Sequence, residues 1–258
     1  ENDNIDRASL DTIGRGNNCS NGRSHLPASI SFRRCPSIRT MMDWVSLVIL
    51  VLIGTAYGRL LGSTVNWLNI DGFQIPKDIW LLELVSAGSW LWSFLEMPSS
   101  EATIFSLLAP VLVAVSWVDL RTFQIPLIFM VAGAVISVAG RLFELTTLND
   151  ALWGFIIGSI VPLVLMGVTY LFTKRQGMGF GDIQLGFVLG VWLGPVRMAL
   201  TLFGASFLSL IVWATISLNK GFNKDRALPF APFLAIAGIG TFVGSVYFPS
   251  FFYHLIFY

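Results

Sequence analysis

Cysteine, histidine and charge are all scarce in this 258-residue chain, and each scarcity excludes something. The two cysteines, Cys19 and Cys35, form no CxxC pair, and the two histidines, His25 and His254, do not make up a ligand set. A structural zinc site takes about four such ligands at suitable spacing, so no metal site is expected and no cofactor is indicated. Only 12% of the residues are charged against 55% hydrophobic. An ordinary soluble domain carries about a quarter charged residues. A chain this poor in polar side chains cannot cover a water-soluble globule. The net charge of +1 comes with no basic stripe and no interleaved aromatics, so nucleic acid is not an expected partner.

What is abundant is apolar residues, arranged in blocks about as long as the ~20 residues needed to cross a hydrocarbon core. Candidate spans are 44–62, 79–97, 103–118, 127–143, 151–173, 183–194, 198–218 and 233–257. The expected fold is therefore all-α, a polytopic membrane bundle of about eight helices with the lipid bilayer as solvent. The count is seven if the short sixth segment fuses with its neighbour. Pro110 and Pro162 fall inside spans and are tolerable there as kinks. Glycines recur in the later spans and permit close helix approach. Residues 1–41 are polar, rich in Ser, Asn and Arg, and without apolar periodicity; they read as a disordered tail, an upstream extension or a processing remnant. Residues 42–258 form the expected membrane domain.

The basic residues give an orientation. With eight spans, one set of connections carries Lys77, Arg121, Lys174, Arg175, Lys220, Lys224 and Arg226, and the other carries Arg141 and Arg197. The richer side is expected to be cytoplasmic, in a cell (inner or plasma) membrane. The arginines of the tail run against this, and the tail is read as foreign to the mature protein rather than the topology as inverted. Trp44, Trp67, Trp80, Trp117 and Trp153 lie near span ends and suit interfacial anchors. Glu83 lies inside the second span, about one turn from its cytoplasmic end, where it either reaches the interface or pairs with a neighbour; Arg59 is a candidate partner.

Two aspartates stand out. Asp119 closes the third span and Asp182 opens the sixth, 63 residues later. Two helices make an out-and-back trip, so both carboxylates are expected at one membrane edge. Two acids held close cannot both ionise cheaply and tend to share a proton. One then acts as base toward a water while the other donates to a scissile carbonyl. Gly179 and Gly181, in the run Gly177-Met-Gly-Phe-Gly-Asp182, are expected to shape the loop and admit a substrate chain. Asp182 taken singly would serve as a helix N-cap. A proton- or ion-coupled transporter would also use buried carboxylates, but such sites lie at the midplane between repeated halves, and no internal repeat is evident. A catalytically silent scaffold is the remaining reading.

The same residues resemble a known family. Gly179-Phe-Gly-Asp182 resembles the GxGD motif of type IV prepilin peptidases, the membrane aspartic peptidases that trim pilin-type leader peptides. Asp119-Leu-Arg-Thr-Phe-Gln-Ile-Pro126 resembles the family's first aspartate motif. Leu61-Gly-Ser-Thr-Val-Asn66, Ile75-Pro76 with Glu83-Leu84, and Leu228-Pro-Phe-Ala-Pro-Phe233 are similar to further family segments, in the right order over residues 45–257. The resemblance implies an eight-helix bundle, Asp119 and Asp182 as the catalytic pair, and cleavage after a short basic leader of prepilin or pseudopilin precursors at the cytoplasmic face. Many members carry four cysteines between helices one and two, associated with zinc and N-methylation. Here that connection, about residues 63–78, has none, which counts against both. Gln184 stands where the family often has Lys.

Overall fold

The computed structural model describes residues 44–69, 79–144, 148–174, 179–221 and 228–257. The tail expected over 1–41 lies outside them, as do Lys77, Arg175, Lys224 and Arg226. Among the described residues the regular elements are all helices: α1 (Trp44–Leu68), α2 (Ile79–Glu96), α3 (Ser99–Thr122), α4 (Leu127–Glu144), α5 (Leu148–Phe155), a π-helical turn (Ile156–Ile160), α6 (Val161–Thr173), α7 (Phe180–Leu193), α8 (Pro195–Lys220), α9 (Ala231–Tyr247) and α10 (Pro249–Phe257).

Four stretches are long and apolar enough to cross a membrane: Trp44–Leu68, Ser99–Thr122, Leu148–Phe172 and Pro195–Asn219. Three shorter apolar helices, Leu127–Leu142, Phe180–Leu193 and Ala231–Tyr247, complete the interior and its flanks. The surface is correspondingly apolar. Phe172, Phe203 and Leu218 stand more than 70% exposed, which is tenable in lipid and not in water. The chain is an all-helical, multi-pass membrane bundle.

Two spans differ from their sequence reading. The stretch expected over 233–257 is two helices, because Pro249 has no N–H to continue the ladder; α9 ends at Tyr247, and the Phe248 N–H bonds back to the Gly244 carbonyl at 2.8 Å. The expected 151–173 span starts at Leu148 and carries the π turn just before Pro162. Pro162 leaves the Gly158 carbonyl without its helical donor, and the extra residue in the turn takes up the mismatch.

α3 is the central helix. Its Leu108, Val111, Leu112, Val115 and Val118 are fully buried, packed among α1, α2, α4 and α9. α7 buries Leu185, Val188 and Leu189 and packs against α4, α5 and α9. Glycines set the closest approaches. A β-carbon at Gly154 or Gly158 would strike the carbonyls of Gly190 or Gly186, and the reverse holds too, so α5 and the π turn meet α7 backbone to backbone. Gly54 and Gly58 of α1 likewise face the backbone of α2 at Ala87 and Glu83. In lipid, where the hydrophobic effect does not press helices together, such contact is what holds them.

One end of the bundle is closed by aromatics. Phe105, Trp192 and Phe242 join α3, α7 and α9, with centroids 4.7 Å apart for Trp192–Phe242 and 5.2 Å for Phe105–Phe242. Trp92 extends the cluster, donating to the Tyr247 hydroxyl at 3.1 Å. The other end of the same three helices holds the two aspartates.

Candidate functional site

α3 ends one turn past Asp119. Phe123 takes the left-handed conformation (φ 53°, ψ 28°) and donates its N–H to the Asp119 carbonyl at 2.9 Å. That conformation costs a non-glycine residue about 1 kcal/mol. Gln124 and Ile125 then turn the chain, and Pro126 leads into α4. The Asp119 side chain is only 5% exposed. Its carboxylate accepts the Ala231 N–H at 3.3 Å, at the first turn of α9. Helix N-termini carry unpaired N–H groups and partial positive charge, so the carboxylate is held where the backbone stabilises an anion. Pro229 and Pro232 flank Ala231 and stiffen that helix start.

Asp182 occupies the third position of α7. Its carboxylate accepts the Gly179 N–H at 3.2 Å, while its own N–H donates to the Gly179 carbonyl at 3.2 Å. The N-cap role expected of Asp182 falls to Gly179, and Asp182 reaches back in the manner of a capping-box acid. The Asp182 side chain is 8% exposed.

The two carboxylates line one cleft of about 490 Å³, together with Phe123, Gln124, Ile125, Leu127, Phe180 and Gln184; Gly179 and Gly181 form part of its wall. Among the described residues no cationic side chain lines the cleft. The contact that closes the distance is Gly181 on Ile125, where an added β-carbon would lie 2.9 Å from the Ile125 β-carbon. The glycines therefore matter differently from their sequence reading. Gly179 has φ −79°, open to any residue, and Gly181 sits within a helix. Proximity, not unusual backbone torsion, requires the glycine at 181.

Arg59 and Glu83 do approach each other, Nε to Oε1 at 4.0 Å, between α1 and α2 and away from the cleft lining. Trp44, Trp67, Trp80 and Trp153 are exposed, the first three close to helix ends. Among the described residues no group of three or more His, Cys, Asp or Glu comes together. Sequence reasoning missed three contributors: the Ala231 amide, the Ile125–Gly181 contact and the exposed rings of Phe123 and Phe180. The only sequence signal for the first was the proline pair around Ala231.

A cleft at one end of a multi-pass helical bundle, with two buried carboxylates on separate helices, defines the class. The profile of the type IV leader peptidase family matches residues 106–214, a stretch that contains both aspartates. The chain is 30% identical over 187 residues to the "type 4 prepilin-like proteins leader peptide-processing enzyme" of Escherichia coli O78:H11, covering 68% of this chain and 67% of that protein. It is 31% identical over 189 residues to a "prepilin leader peptidase/N-methyltransferase" of Stutzerimonas stutzeri (67% of this chain, 63% of that protein). To the protein of the same description from Aeromonas hydrophila it is 32% identical over 136 residues (51% and 46%). The chain belongs to the type IV leader peptidase family. It spans about half the length of the Aeromonas relatives it matches. No solved structure matches it.

Proposed function

We propose that this chain is a membrane aspartic endopeptidase that removes the basic leader from type IV prepilin or pseudopilin-like precursors at the cytoplasmic face of the cell membrane, with Asp119 and Asp182 as its catalytic pair. The observation that carries the reading is a single one: carboxylates 63 residues apart in sequence, both buried, share one cleft. The family relationship supports the same reaction.

The chemistry follows from the pair. One carboxylate, ionised, takes a proton from a water as that water's oxygen bonds to the scissile carbonyl carbon. The partner, protonated, gives its proton to the carbonyl oxygen. The tetrahedral intermediate collapses as the C–N bond breaks, a proton passes to the leaving amine, and the pair is again left with one proton. Burial makes two adjacent negative charges costly, which favours that singly protonated state. Exposed Phe123 and Phe180 offer apolar walls to a substrate chain.

The cytoplasmic placement rests on the basic residues: Arg121 and Lys174 lie at the aspartate end of their helices, Arg141 and Arg197 at the opposite end. The relatives' names include N-methyltransferase, but the 63–78 connection of this chain has no cysteine, so the activity proposed here is proteolysis alone. The test is cleavage of a peptide with a basic leader and an apolar stem by the purified protein in detergent or lipid. Asp119→Asn and Asp182→Asn should each lower kcat by on the order of 10²- to 10⁴-fold while the protein elutes as the folded form. Undiminished cleavage by either variant removes the dyad from the mechanism.

A further inference from the structure

α7 carries Asp182 at one end and is gripped at the other. Arg141, in the last turn of α4, donates Nε–H to the Val191 carbonyl at 2.8 Å and Nη2–H to the Trp192 carbonyl. One turn earlier, the fully buried Ser137 hydroxyl donates to the Val188 carbonyl at 3.2 Å. These bonds pair residues 50 or 51 apart in sequence, a constant offset, so α4 and α7 run parallel in fixed register. Elsewhere α7 packs through apolar contacts, the Trp192 ring cluster among them, and Ser137 and Arg141 add directional bonds to these. α7 bears no charged residue other than Asp182, and it meets α5 and the π turn along a glycine seam beside the Phe155–Phe187 ring contact.

We infer that Arg141 is a positioning residue, which sets the axial place of α7 and through it the location of Asp182 relative to Asp119. Val191 lies nine residues along α7 from Asp182, roughly 14 Å at the helical rise. α4 itself begins beside the cleft wall at Leu127, so the Arg141 clamp joins both ends of one rigid pair of helices. The last carbonyls of α7 lack helical donors, and in a membrane they must find others. A guanidinium satisfies two at once and complements the negative end of the helix. Lysine keeps the charge but lacks that planar fork.

The catalytic part of this inference rests on the proposed proteolysis; the geometric part does not. In the full chain with Cys19 and Cys35 replaced by serine, spin labels at Gln124→Cys and Gln184→Cys report the separation across the cleft by dipolar broadening. Arg141→Met should change that separation, and Arg141→Lys should restore part of it. In the unlabelled protein, Arg141→Met should lower kcat by on the order of tenfold to a hundredfold with KM little altered, since small misplacements of a reacting group cost rates of that size. Arg141→Lys should recover part of this loss as well. The lysine variant carries both comparisons should the methionine variant not fold. An unchanged label separation overturns the inference whatever the rate does, and so does a changed separation with undiminished kcat. A changed separation in a protein that cleaves nothing, even with Arg141 intact, upholds the positioning and overturns the proteolytic reading instead.

Discussion

Gly179 and Gly181 flank Phe180 in the same short run, yet they carry different demands. At Gly181 a side chain would press on Ile125, and because Ile125 belongs to the turn after α3, the pressure would part the two aspartate-bearing segments. At Gly179, among the described residues, the nearest atom to an added β-carbon is the Asp182 carboxylate oxygen, at an ordinary 3.4 Å, and the N–H that bonds it is retained. Gly181→Val should therefore lower kcat for leader cleavage by about tenfold or more, whereas Gly179→Ala should stay within a few-fold of the parent. Equal losses in the two variants, measured under saturating peptide, would contradict this division. Asp119 belongs to the same scale. The sequence marks it as an acid at a span end, but only the fold supplies the Ala231 N–H that holds its carboxylate.

Among the elements, the seam between α5, the π turn and α7 is the tightest. Gly186 and Gly158 leave no room for a β-carbon on either side, whereas at Gly167 of α6 no atom of the described residues lies within 4 Å of where one would stand. Gly186→Leu should destabilise the protein by about 3 kcal/mol or more, since the obstacle is backbone rather than a side chain that can turn away. Gly167→Ala should be neutral or stabilise by about 0.5–1 kcal/mol through helix propensity. Thermal unfolding in detergent reads both; a higher midpoint for Gly186→Leu than for Gly167→Ala would reverse the assignment. At this scale the sequence showed most of the architecture. Block lengths located the helices, and Pro110 sits inside an unbroken α3 as anticipated. Two features escaped it. The break at Pro249 was hidden because the flanking residues are equally apolar, so hydropathy runs through without interruption. The π turn before Pro162 was hidden because a one-residue change of hydrogen-bond spacing leaves no trace in composition.

For the whole molecule, both aspartates must face one compartment. α4 and the α5–α6 pair separate them, and the shared cleft requires their ends to coincide. In a background with Cys19 and Cys35 replaced by serine, Thr122→Cys and Gln176→Cys should react with an impermeant maleimide only from the cytoplasmic side of intact cells. Ser99→Cys, at the start of α3, should react only from outside. Labelling of residues 122 and 176 from opposite sides would break the topology on which the proposed site depends.

The sequence by itself determined that this chain lives in a membrane, where most of its helices fall, and which two acids deserve suspicion, because hydropathy, proline and the Gly-x-Gly-Asp run are local properties written residue by residue. The tertiary structure alone decided that the acids share a cleft, that Gly181 is required by Ile125, and that Arg141 grips the far end of α7. Those are contacts between segments tens to more than a hundred residues apart, and their partners include backbone amides and carbonyls, groups every residue possesses and no sequence singles out.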